Sequence, residues 1–341
     1  MSPTPVDALR SALASVAGQS PSDVLRQLVE MRLDALPLPA SGETLGRWRA
    51  LVEVSRHDLS LAKLYEGHTD ALAILREFDA AGQVPPGATW GVWAAEATAA
   101  RLIAEPTDGG RLRLHGQKHW CSGAANVSHA ILTAWFGDGR GPQLVRVALA
   151  QPGVEISALA WQAVGMHESA SLDVTLSGVI GDAVGGIGDY LSRPGFWHGG
   201  AGIAACWHGG AMALAEIMRE ATVTNTAPAH SPLRLAALGR VDVALYSSAT
   251  LLREAAHWID RNPRADAAQV ALRVRLSAEA TATLVLAEVG RALGAAPYCR
   301  DRRFARMAAD LPVFVRQSHA DRDLAVLGAM LRNSDDGDWR P

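Results

Sequence analysis

The chain has 341 residues, of which 49% are hydrophobic and 20% charged, so it can bury a large core and is too long for one compact helical bundle. Its 32 basic and 35 acidic residues nearly cancel, which leaves a net charge of −3. Because no run of like charge stands out, this balance argues against a nucleic-acid partner and against a polybasic membrane-surface role. A small, uncharged or anionic partner fits it better.

The cysteines and the N-terminal segment bear on the cellular setting. Cys121, Cys206 and Cys299 lack metal-site spacing, and an odd count argues against a disulfide scaffold. We therefore expect a reducing, cytoplasmic setting. Residues 1–28 lack the basic start and apolar run of a secretory signal, and no uninterrupted apolar stretch predicts a membrane span. Abundant alanine and the excess of arginine over lysine are typical of a GC-rich bacterial genome.

The first 87 residues predict an N-terminal helical domain. Pro5 opens one helix, Ser20 caps a second whose apolar residues recur at helical spacing, and the residues up to Glu43 start a third. A fourth helix is predicted over 60–78. Two prolines and two glycines between residues 82 and 87 then predict a linker.

Residues 88–190 change to short alternating or β-rich segments between glycine, aspartate and proline turns, which predicts a small antiparallel β-domain. Its clearest strands are predicted at 111–115, 130–134, 144–148 and 172–176. From 191 to 332 the pattern predicts a C-terminal four-helix bundle. Its helices are expected at 195–220, 232–260, 265–293 and 302–331, the last broken near Pro312. The fold class is therefore α+β, and residues 333–341 form a polar tail.

The middle domain carries a recognisable motif, Gly116-Gln-Lys-His-Trp-Cys-Ser-Gly123. It resembles the middle β-domain of the acyl-CoA dehydrogenase superfamily, where a Gly-x-Lys and an aromatic residue followed by a small hydroxyl residue recur. The segment 165–176, which includes Ser169, is similar to the family's Gly-x-Arg-x-Ser stretch. Residues 291–328 look like the family's closing helices. The resemblance, with its α, β, α order, covers essentially the whole chain.

The resemblance implies FAD, bound between the β-domain and the C-terminal bundle, with a neighbouring subunit completing the site. Trp120 would flank the flavin ring and Ser122 would bond near N5, with Gly123 and Ser169 beside the cofactor. Gly294 would open the loop that reaches the adenosine part of a neighbour's FAD. Independently of the family, a flat apolar ring with a polar edge favours an aromatic wall and a short hydroxyl. The alternative is that Trp120 is a core tryptophan and Ser122 a turn residue, and that neither contacts a cofactor.

The chain departs from the family in three features. The glutamate that removes the substrate α-proton is absent from both places where the family has it, here 311–319 and 196–208. The arginine that meets the FAD pyrophosphate has no counterpart in 227–233. The N-terminal helical domain is also shorter than the family's.

Flavin monooxygenases of the same superfamily lack this glutamate, and residues 120–123 and 319–321 resemble their corresponding stretches. An imidazole has an ordinary pKa of about 6.5 and can take either protonation state near neutrality. His319 could therefore donate a proton near the flavin C4a position, with Asp321 orienting its ring. The alternative is that His319 lies on a solvated, charged face beside Asp321, Arg322 and Asp323.

The sequence predicts an FAD-dependent oxidoreductase of acyl-CoA dehydrogenase type that acts on an acyl thioester, such as an acyl-CoA, or on a related small organic substrate. A flavin-dependent monooxygenase is the runner-up, and a non-catalytic paralogue that assembles with an active partner is the third hypothesis. The apolar run 278–293 needs cover on more than one side, which predicts a homodimer or homotetramer.

Two further features favour structural roles. His198 and His208, ten residues apart on one predicted helix, fall on nearly opposite faces and argue against a shared metal. Glu96 follows the first β-segment, where family members carry a Thr-Glu pair near the flavin, but Ala94 and Ala95 precede it here. A structural role is expected for Glu96, and no metal, nucleic acid or membrane is expected as a partner.

Overall fold

The computed structural model describes residues 5–80, 82, 84–96, 101–224, 232–332 and 339. Most of the predicted tail and of region 227–233 lies outside the described residues. By its internal contacts the chain divides into two compact units. The β unit comprises Met1–Leu38 and Ser60–Phe196, and the helical unit comprises Pro39–Leu59 and Trp197–Pro341.

Four helices precede the sheet, where the sequence predicts them. They are α1 (Pro5–Ser15), α2 (Pro21–Glu30), α3 (Thr44–His57) and α4 (Leu59–Glu77). Ser20 caps α2, because its side chain accepts a hydrogen bond from the backbone N–H of Asp23 at 3.2 Å. The helix α3 belongs to the helical unit, and the other three lie essentially within the β unit.

The sheet closes on itself. Its described strands are β1 (Trp90–Trp93), β2 (Ile103–Pro106), β3 (Leu112–Cys121), β4 (His129–Phe136), β5 (Pro142–Ala148), β6 (Val154–Ser157) and β7 (Leu172–Val184). The pairings run from β4 through β2, β3, β7 and β5 and return to β4, while β1 joins β4 and β6 joins β7. All four predicted strands lie largely within β3, β4, β5 and β7.

The prediction of an antiparallel domain is wrong for two pairings, because β1 and β2 both run parallel to β4. The alternation of apolar residues reveals which face of a strand is buried but carries no information on strand direction.

Successive residues of β4 serve two cores. Leu132 packs with Leu114 and Val145 in the interior of the closed sheet. Ile131, on the opposite face, packs with Ile74 of α4 and with Trp90 of β1. The helix α4 is thereby fixed against the outside of the sheet next to β1, and each of these buried side chains contributes about 1.5–3 kcal/mol.

Seven helices follow the sheet in the described residues: α5 (Asp189–Ser192), α6 (Pro194–Thr224), α7 (Pro232–Arg261), α8 (Ala268–Leu293), α9 (Ala296–Arg300), α10 (Arg302–Phe314) and α11 (Asp321–Arg332). The predicted break near Pro312 is displaced. Pro312 lies inside α10, and the break comes after Phe314 with a 3₁₀ turn, Val315–Gln317. A proline removes one helical hydrogen bond, but Phe314 and Val315 are buried and their packing holds the last turn.

Glycines let α3 and α6 approach closely. A Cβ on Gly209 would lie 2.7 Å from the carbonyl oxygen of Val52 and 2.8 Å from the Cβ of Ser55. A Cβ on Gly202 would come within 3.4 Å of both Leu51 and Trp48. Any larger residue at position 209 would therefore push the two helices apart.

One described helix, α7, is long and apolar enough to cross a membrane by length and composition alone. Core helices of soluble proteins often meet the same criteria, so this is weak evidence for a span. Val243 and Tyr246 on α7 are 66% and 70% exposed in the single chain.

Candidate functional site

The end of β3 is bent so that Trp120 faces outward. The pairing of β3 with β7 shifts register between Lys118 and Cys121, and Trp120 between them has a φ of 56°. A bulky residue with positive φ is rare and costs about 1–3 kcal/mol, and an irregularity of this kind re-aims a side chain. The indole is 60% exposed, so Trp120 is not a core tryptophan.

Cys121 and Ser122 complete this turn on opposite sides. The Cys121 side chain is fully buried, and desolvation raises the pKa of its thiol to about 12. The thiol is therefore protonated and inert at neutral pH. Ser122 is half-buried, and its carbonyl oxygen accepts a hydrogen bond from Nε1 of Trp93 at 3.0 Å. The turn thus presents an aromatic ring and a hydroxyl while the thiol points into the core.

A buried lysine anchors the strand before the turn. Nζ of Lys118 donates to the carbonyl oxygen of Ala95 at 3.1 Å, to Oε1 of Glu96 at 3.0 Å and to Oγ1 of Thr133 at 2.7 Å. Burial alone would raise the pKa of Glu96, but hydrogen bonds from Thr133 and Lys118 bring it below its ordinary value. Glu96 therefore has the structural role that the sequence predicts.

Three serine hydroxyls form a chain behind the turn. Oγ of Ser122 lies 2.8 Å from Oγ of Ser171, which lies 2.9 Å from Oγ of Ser169. Oγ of Ser169 donates to the carbonyl oxygen of Met166 at 2.7 Å. The backbone N–H of Gly123 donates to the carbonyl oxygen of Ser169 at 2.8 Å. The two motifs that carry the sequence resemblance are therefore joined directly, and Ser122, Gly123 and Ser169 form one cluster.

Gly123 is required by both conformation and space. Its φ is 75°, and a Cβ there would lie 2.9 Å from Cδ2 of Leu64 and 3.1 Å from Cγ1 of Val127. The helix α4 packs on the turn at this point. Beside it, Ser122, Lys63 of α4 and Gly91 of β1 line a cleft of about 10 Å³, which has room for about one water molecule.

A histidine and an aspartate form a pair next to Trp120 that the sequence analysis did not predict. Nδ1 of His119 lies 3.0 Å from Oδ2 of Asp173, and the His119 and Trp120 ring centroids are 6.4 Å apart. His119 is on β3 and Asp173 is on β7, so the register of the two strands brings them together. No local sequence signal could have identified the pair.

In the helical unit, His319 lies at an exposed turn. Its side chain is 62% exposed, and Nδ1 lies 3.4 Å from Oδ1 of Asp323. Its backbone N–H donates to Oδ2 of Asp323 at 3.1 Å. The carboxylate beside the His319 ring is therefore Asp323 and not Asp321, which is exposed. Asp323 is four residues after His319, in the first turn of α11. At this spacing its carboxylate lies next to the His319 ring.

Two arginines hold the segment before His319. Arg275 donates to the carbonyl oxygen of Gly200 at 3.0 Å and to that of Gln317 at 2.9 Å. Arg316 and Glu279 pair at 2.6 Å. The 3₁₀ turn is thereby tied to α6 and α8, although His319 itself stays open to solvent.

Gly294 ends α8 with a φ of 70°, and its N–H donates to the carbonyl oxygen of Gly290 at 3.0 Å. A Cβ on Gly294 would meet nothing within 4 Å, so only the backbone conformation favours glycine there. Its expected role toward a neighbouring subunit's cofactor stays a prediction.

The histidines of α6 are buried. Nδ1 of His208 lies 3.1 Å from Oγ of Ser248, and burial, aided by the charge of Arg253, lowers the pKa of His208 to about 4. In the part of the chain that the structure describes, no three His, Cys, Asp or Glu side chains come together as metal ligands.

The carboxylate next to the stretch 311–319 is also buried. Asp310 is 2% exposed, and its Oδ2 lies 3.6 Å from Nε of Arg306. Its position in the core beside an arginine is that of a structural group.

No protein-family model and no curated protein sequence matches the chain. Solved structures do match. Glutaryl-coenzyme A dehydrogenase aligns with a TM-score of 0.83 at 17% identity, over 96% of this chain and 94% of its own. The chain has the acyl-CoA dehydrogenase fold. The prediction of an acyl-CoA dehydrogenase-like fold that combines helices with a sheet is thereby confirmed, while the arrangement of the domains and their boundaries at 87, 190 and 332 stay predictions.

Two other solved proteins share this fold with the chain. TdsC from Paenibacillus sp. A11-2, a dibenzothiophene monooxygenase, was solved with FMN and aligns with a TM-score of 0.80 at 20% identity, over 96% of this chain and 97% of its own. KijD3, solved with FMN and a dTDP-linked amino sugar, aligns at 0.78 with 19% identity, over 98% of this chain and 93% of its own. At these identities the likeness establishes the acyl-CoA dehydrogenase fold and no more.

Proposed function

We propose that the chain is a flavin-dependent oxidoreductase whose flavin ring lies against Trp120 and Ser122. The observation that carries the proposal is the turn at the end of β3. It holds a 60% exposed indole at a φ of 56° next to a hydroxyl that two buried serines orient. An exposed aromatic wall beside an oriented hydroxyl fits a flat ring with a polar edge. The strained backbone at Trp120 does not bury the indole in a core, and this supports a binding role for the side chain.

The roles of the residues follow from this placement. Trp120 flanks the ring, Ser122 bonds to its polar edge, and Gly123 with Ser169 keeps the turn in place. A bound flavin supplies a hydride acceptor and, once reduced, a reactant for dioxygen. We propose FAD, with Gly294 in the loop that approaches the adenosine part of a neighbour's cofactor. FMN is the competing form because TdsC and KijD3 were solved with it.

The substrate we propose is an acyl thioester, such as an acyl-CoA, or a related small organic molecule that exchanges a hydride with the flavin. Ordinary α,β-desaturation should be slow. No Asp or Glu occurs in 311–319 or 196–208, and the adjacent Asp310 is buried beside Arg306. A positioned general base typically contributes about 10²–10⁴-fold to the rate, and its loss cannot be recovered by flavin binding.

Monooxygenase chemistry is the second candidate, and the His319–Asp323 pair favours it. An imidazole whose Nδ1 faces a carboxylate and whose side chain is 62% exposed is placed to donate a proton to a bound reactant. TdsC, whose structure this chain resembles, is a monooxygenase. The proton donor in this alternative is His319, and Asp323 takes the orienting role expected of Asp321.

The experiment is reconstitution with FAD or FMN, followed by visible spectroscopy and two assays. An acyl-CoA chain-length series with an artificial electron acceptor under nitrogen should give turnover well below the ordinary range of about 1–10³ s⁻¹. Reduction by substrate without oxygen uptake indicates a dehydrogenase, and oxygen incorporation into the substrate indicates a monooxygenase. A colourless protein that binds neither flavin would contradict the proposal and favour the non-catalytic paralogue.

We also propose a homodimer or homotetramer assembled through the C-terminal helices. Val243 and Tyr246 on α7, with Leu284 on α8, leave apolar surface exposed in the single chain, and such a patch is typical of an interface. Light scattering that returns the monomer mass of 36.0 kDa at micromolar concentration would contradict this assembly. The odd number of cysteines argues against a disulfide scaffold and supports the reducing, cytoplasmic setting that we propose for the chain.

A further inference from the structure

The β unit has a second cavity, whose charged residues lie far from the Trp120 turn. Its volume is about 220 Å³, and a water molecule takes about 30 Å³ of liquid, so it has room for a small organic molecule. Arg111, which lines the cavity, directly precedes β3, whereas Trp120 is near the other end of that strand. At about 3.3 Å per residue, the extended chain between them spans about 30 Å.

The cavity has one positive charge in excess. Nε of Arg111 donates to Oδ1 of Asp182 at 2.8 Å, and Nη2 of Arg146 donates to Oδ2 of the same carboxylate at 3.1 Å. One carboxylate therefore faces two guanidinium groups. His129, the other titratable residue in the described lining, adds no charge at neutral pH, because burial and then the charge of Arg146 lower its pKa. The lining as a whole favours an anion.

Arg111 has the donors that such an anion needs. Its side chain is 53% exposed, and among the described residues only Asp182 contacts its guanidinium group, through Nε. Its two Nη groups can bind both oxygens of a carboxylate. Gln151 cannot compete as a donor. Its amide nitrogen already donates to the carbonyl oxygens of Ala148 and Ile180 at 2.6 and 3.1 Å, which uses both of its protons.

The uncharged part of the lining is apolar and includes a stacked aromatic pair. The rings of Trp90 and His129 have centroids 4.7 Å apart and planes inclined by 29°. Trp90 is fully buried, whereas His129 is partly exposed, so the neutral imidazole is the ring that a ligand meets. Pro85 and Ile180 also line the cavity. A flat apolar body fits this surface, because few rotatable bonds must be fixed when it binds.

We propose that this cavity binds a small aromatic monocarboxylate, with the carboxylate at Arg111 and the ring beside His129. A single negative charge balances the excess of one guanidinium group, and the cavity has room for one ring. The inference is independent of the proposed flavin chemistry. In the competing interpretation the two arginines and Asp182 only tie the strands of the sheet together, and the cavity then binds no carboxylate.

The test is isothermal titration calorimetry of the purified full chain with benzoate as the probe. Benzamide keeps the size and the ring of benzoate but has no charge, and acetate keeps the charge but has no ring. The same titrations are made on Arg111→Gln and on Arg140→Gln. Arg140 is the matched control, because it is 51% exposed in the same unit, pairs with one aspartate, Asp138, and does not line the cavity.

We expect benzoate to bind the wild type with a dissociation constant of about 1 mM or lower, as is typical of a ligand with so few atoms. Benzamide and acetate should each bind at least about tenfold more weakly. Arg111→Gln should weaken benzoate binding about tenfold, the ratio that one hydrogen bond to a charged group supplies at a half-exposed site. Arg140→Gln should bind benzoate as the wild type does.

Four results would overturn the inference: no binding of benzoate to the wild type, equal affinity for benzamide and benzoate, unchanged benzoate affinity in Arg111→Gln, and an equal loss in Arg140→Gln. The comparison of benzoate with benzamide needs the wild type alone, so it tests the inference even if Arg111→Gln does not fold. Flavin binding at the Trp120 turn is measured separately, and none of these four results bears on it.

Discussion

The β unit and the helical unit each bury a basic side chain, and they do so in different ways. The β unit buries Lys118 in an ion pair with Glu96, and two further oxygens meet its ammonium group. The helical unit buries His208 as a neutral ring beside Ser248, with a pKa lowered to about 4. An ion pair fixes direction as well as distance, so Lys118 holds the end of β3 in one orientation next to the Trp120 turn.

The same difference separates the two groups of candidate site residues. Ser122 and Ser169 are held by a chain of hydroxyls and by the N–H of Gly123. His319 is 62% exposed and is held through its backbone and Asp323. The residues of the proposed flavin site in the β unit are therefore held in place without a ligand, whereas the catalytic candidate of the helical unit, His319, lies on a solvent-exposed turn.

The largest expected effect is at Lys118. Lys118→Ala removes a buried ammonium group that donates to three oxygens, and the free energy of unfolding should fall by about 3–4 kcal/mol because each such hydrogen bond contributes about 1–1.5 kcal/mol. The matched control is Lys63→Ala, the only other lysine, which pairs with Glu66 three residues along the same helix. That change should cost about 0.5 kcal/mol. Urea unfolding measures both values, and similar losses would show that the buried pair contributes nothing special.

The buried histidine of the helical unit should make the protein acid-sensitive. The pKa of His208 is about 4 in the folded chain and about 6.5 when unfolded, so the unfolded chain binds the proton first as pH falls. The stabilisation is complete above pH 6.5 and is lost between pH 6.5 and 4, by about 3 kcal/mol in all. His208→Gln should lack this contribution. Urea unfolding at pH 7 and pH 4 tests it, and parallel losses in both proteins would contradict the assignment.

A smaller effect is expected from two glycines of similar φ. Gly123→Ala adds a clash with Leu64 and Val127 to the strain of a φ of 75°, and should lower the free energy of unfolding by about 2 kcal/mol. Gly294→Ala, at a φ of 70° in open space, should cost about 1 kcal/mol. Thermal unfolding of the two variants gives the comparison, and an equal or reversed order would show that the Trp120 turn is not tightly packed.

Much of the secondary structure could be predicted from local signals. The cap at Ser20 and the alternation over 130–134 act within a few residues, so the sequence reveals them directly. Strand direction depends on pairing between distant segments, which explains the missed parallel pairing of β1 and β2 with β4. Pro312 was expected to end α10, but the packing of Phe314 carries the helix past it.

The candidate site could be predicted in its residues but not in its connections. The family resemblance identified Ser122 and Ser169 as site residues. The hydrogen bonds that connect their hydroxyls depend on a turn in which Met166 and Ala170 have positive φ. Neither is a glycine, so nothing in the sequence marks that turn. Which aspartate lies beside His319 likewise depends on where α11 begins, and the structure has Asp323 there where the sequence predicted Asp321.

The central claim is that flavin binds at the Trp120 turn, and its most direct test is the dissociation constant of the wild type and two double variants. Trp120→Ala with Ser122→Ala removes the aromatic wall and the hydroxyl. Trp339→Ala with Ser192→Ala is the matched control, because it removes an 82% exposed tryptophan and an exposed serine. The loss of one aromatic contact and one hydrogen bond should weaken flavin binding about a hundredfold in the first variant, with no change in the control. Equal affinity in all three proteins would contradict the account.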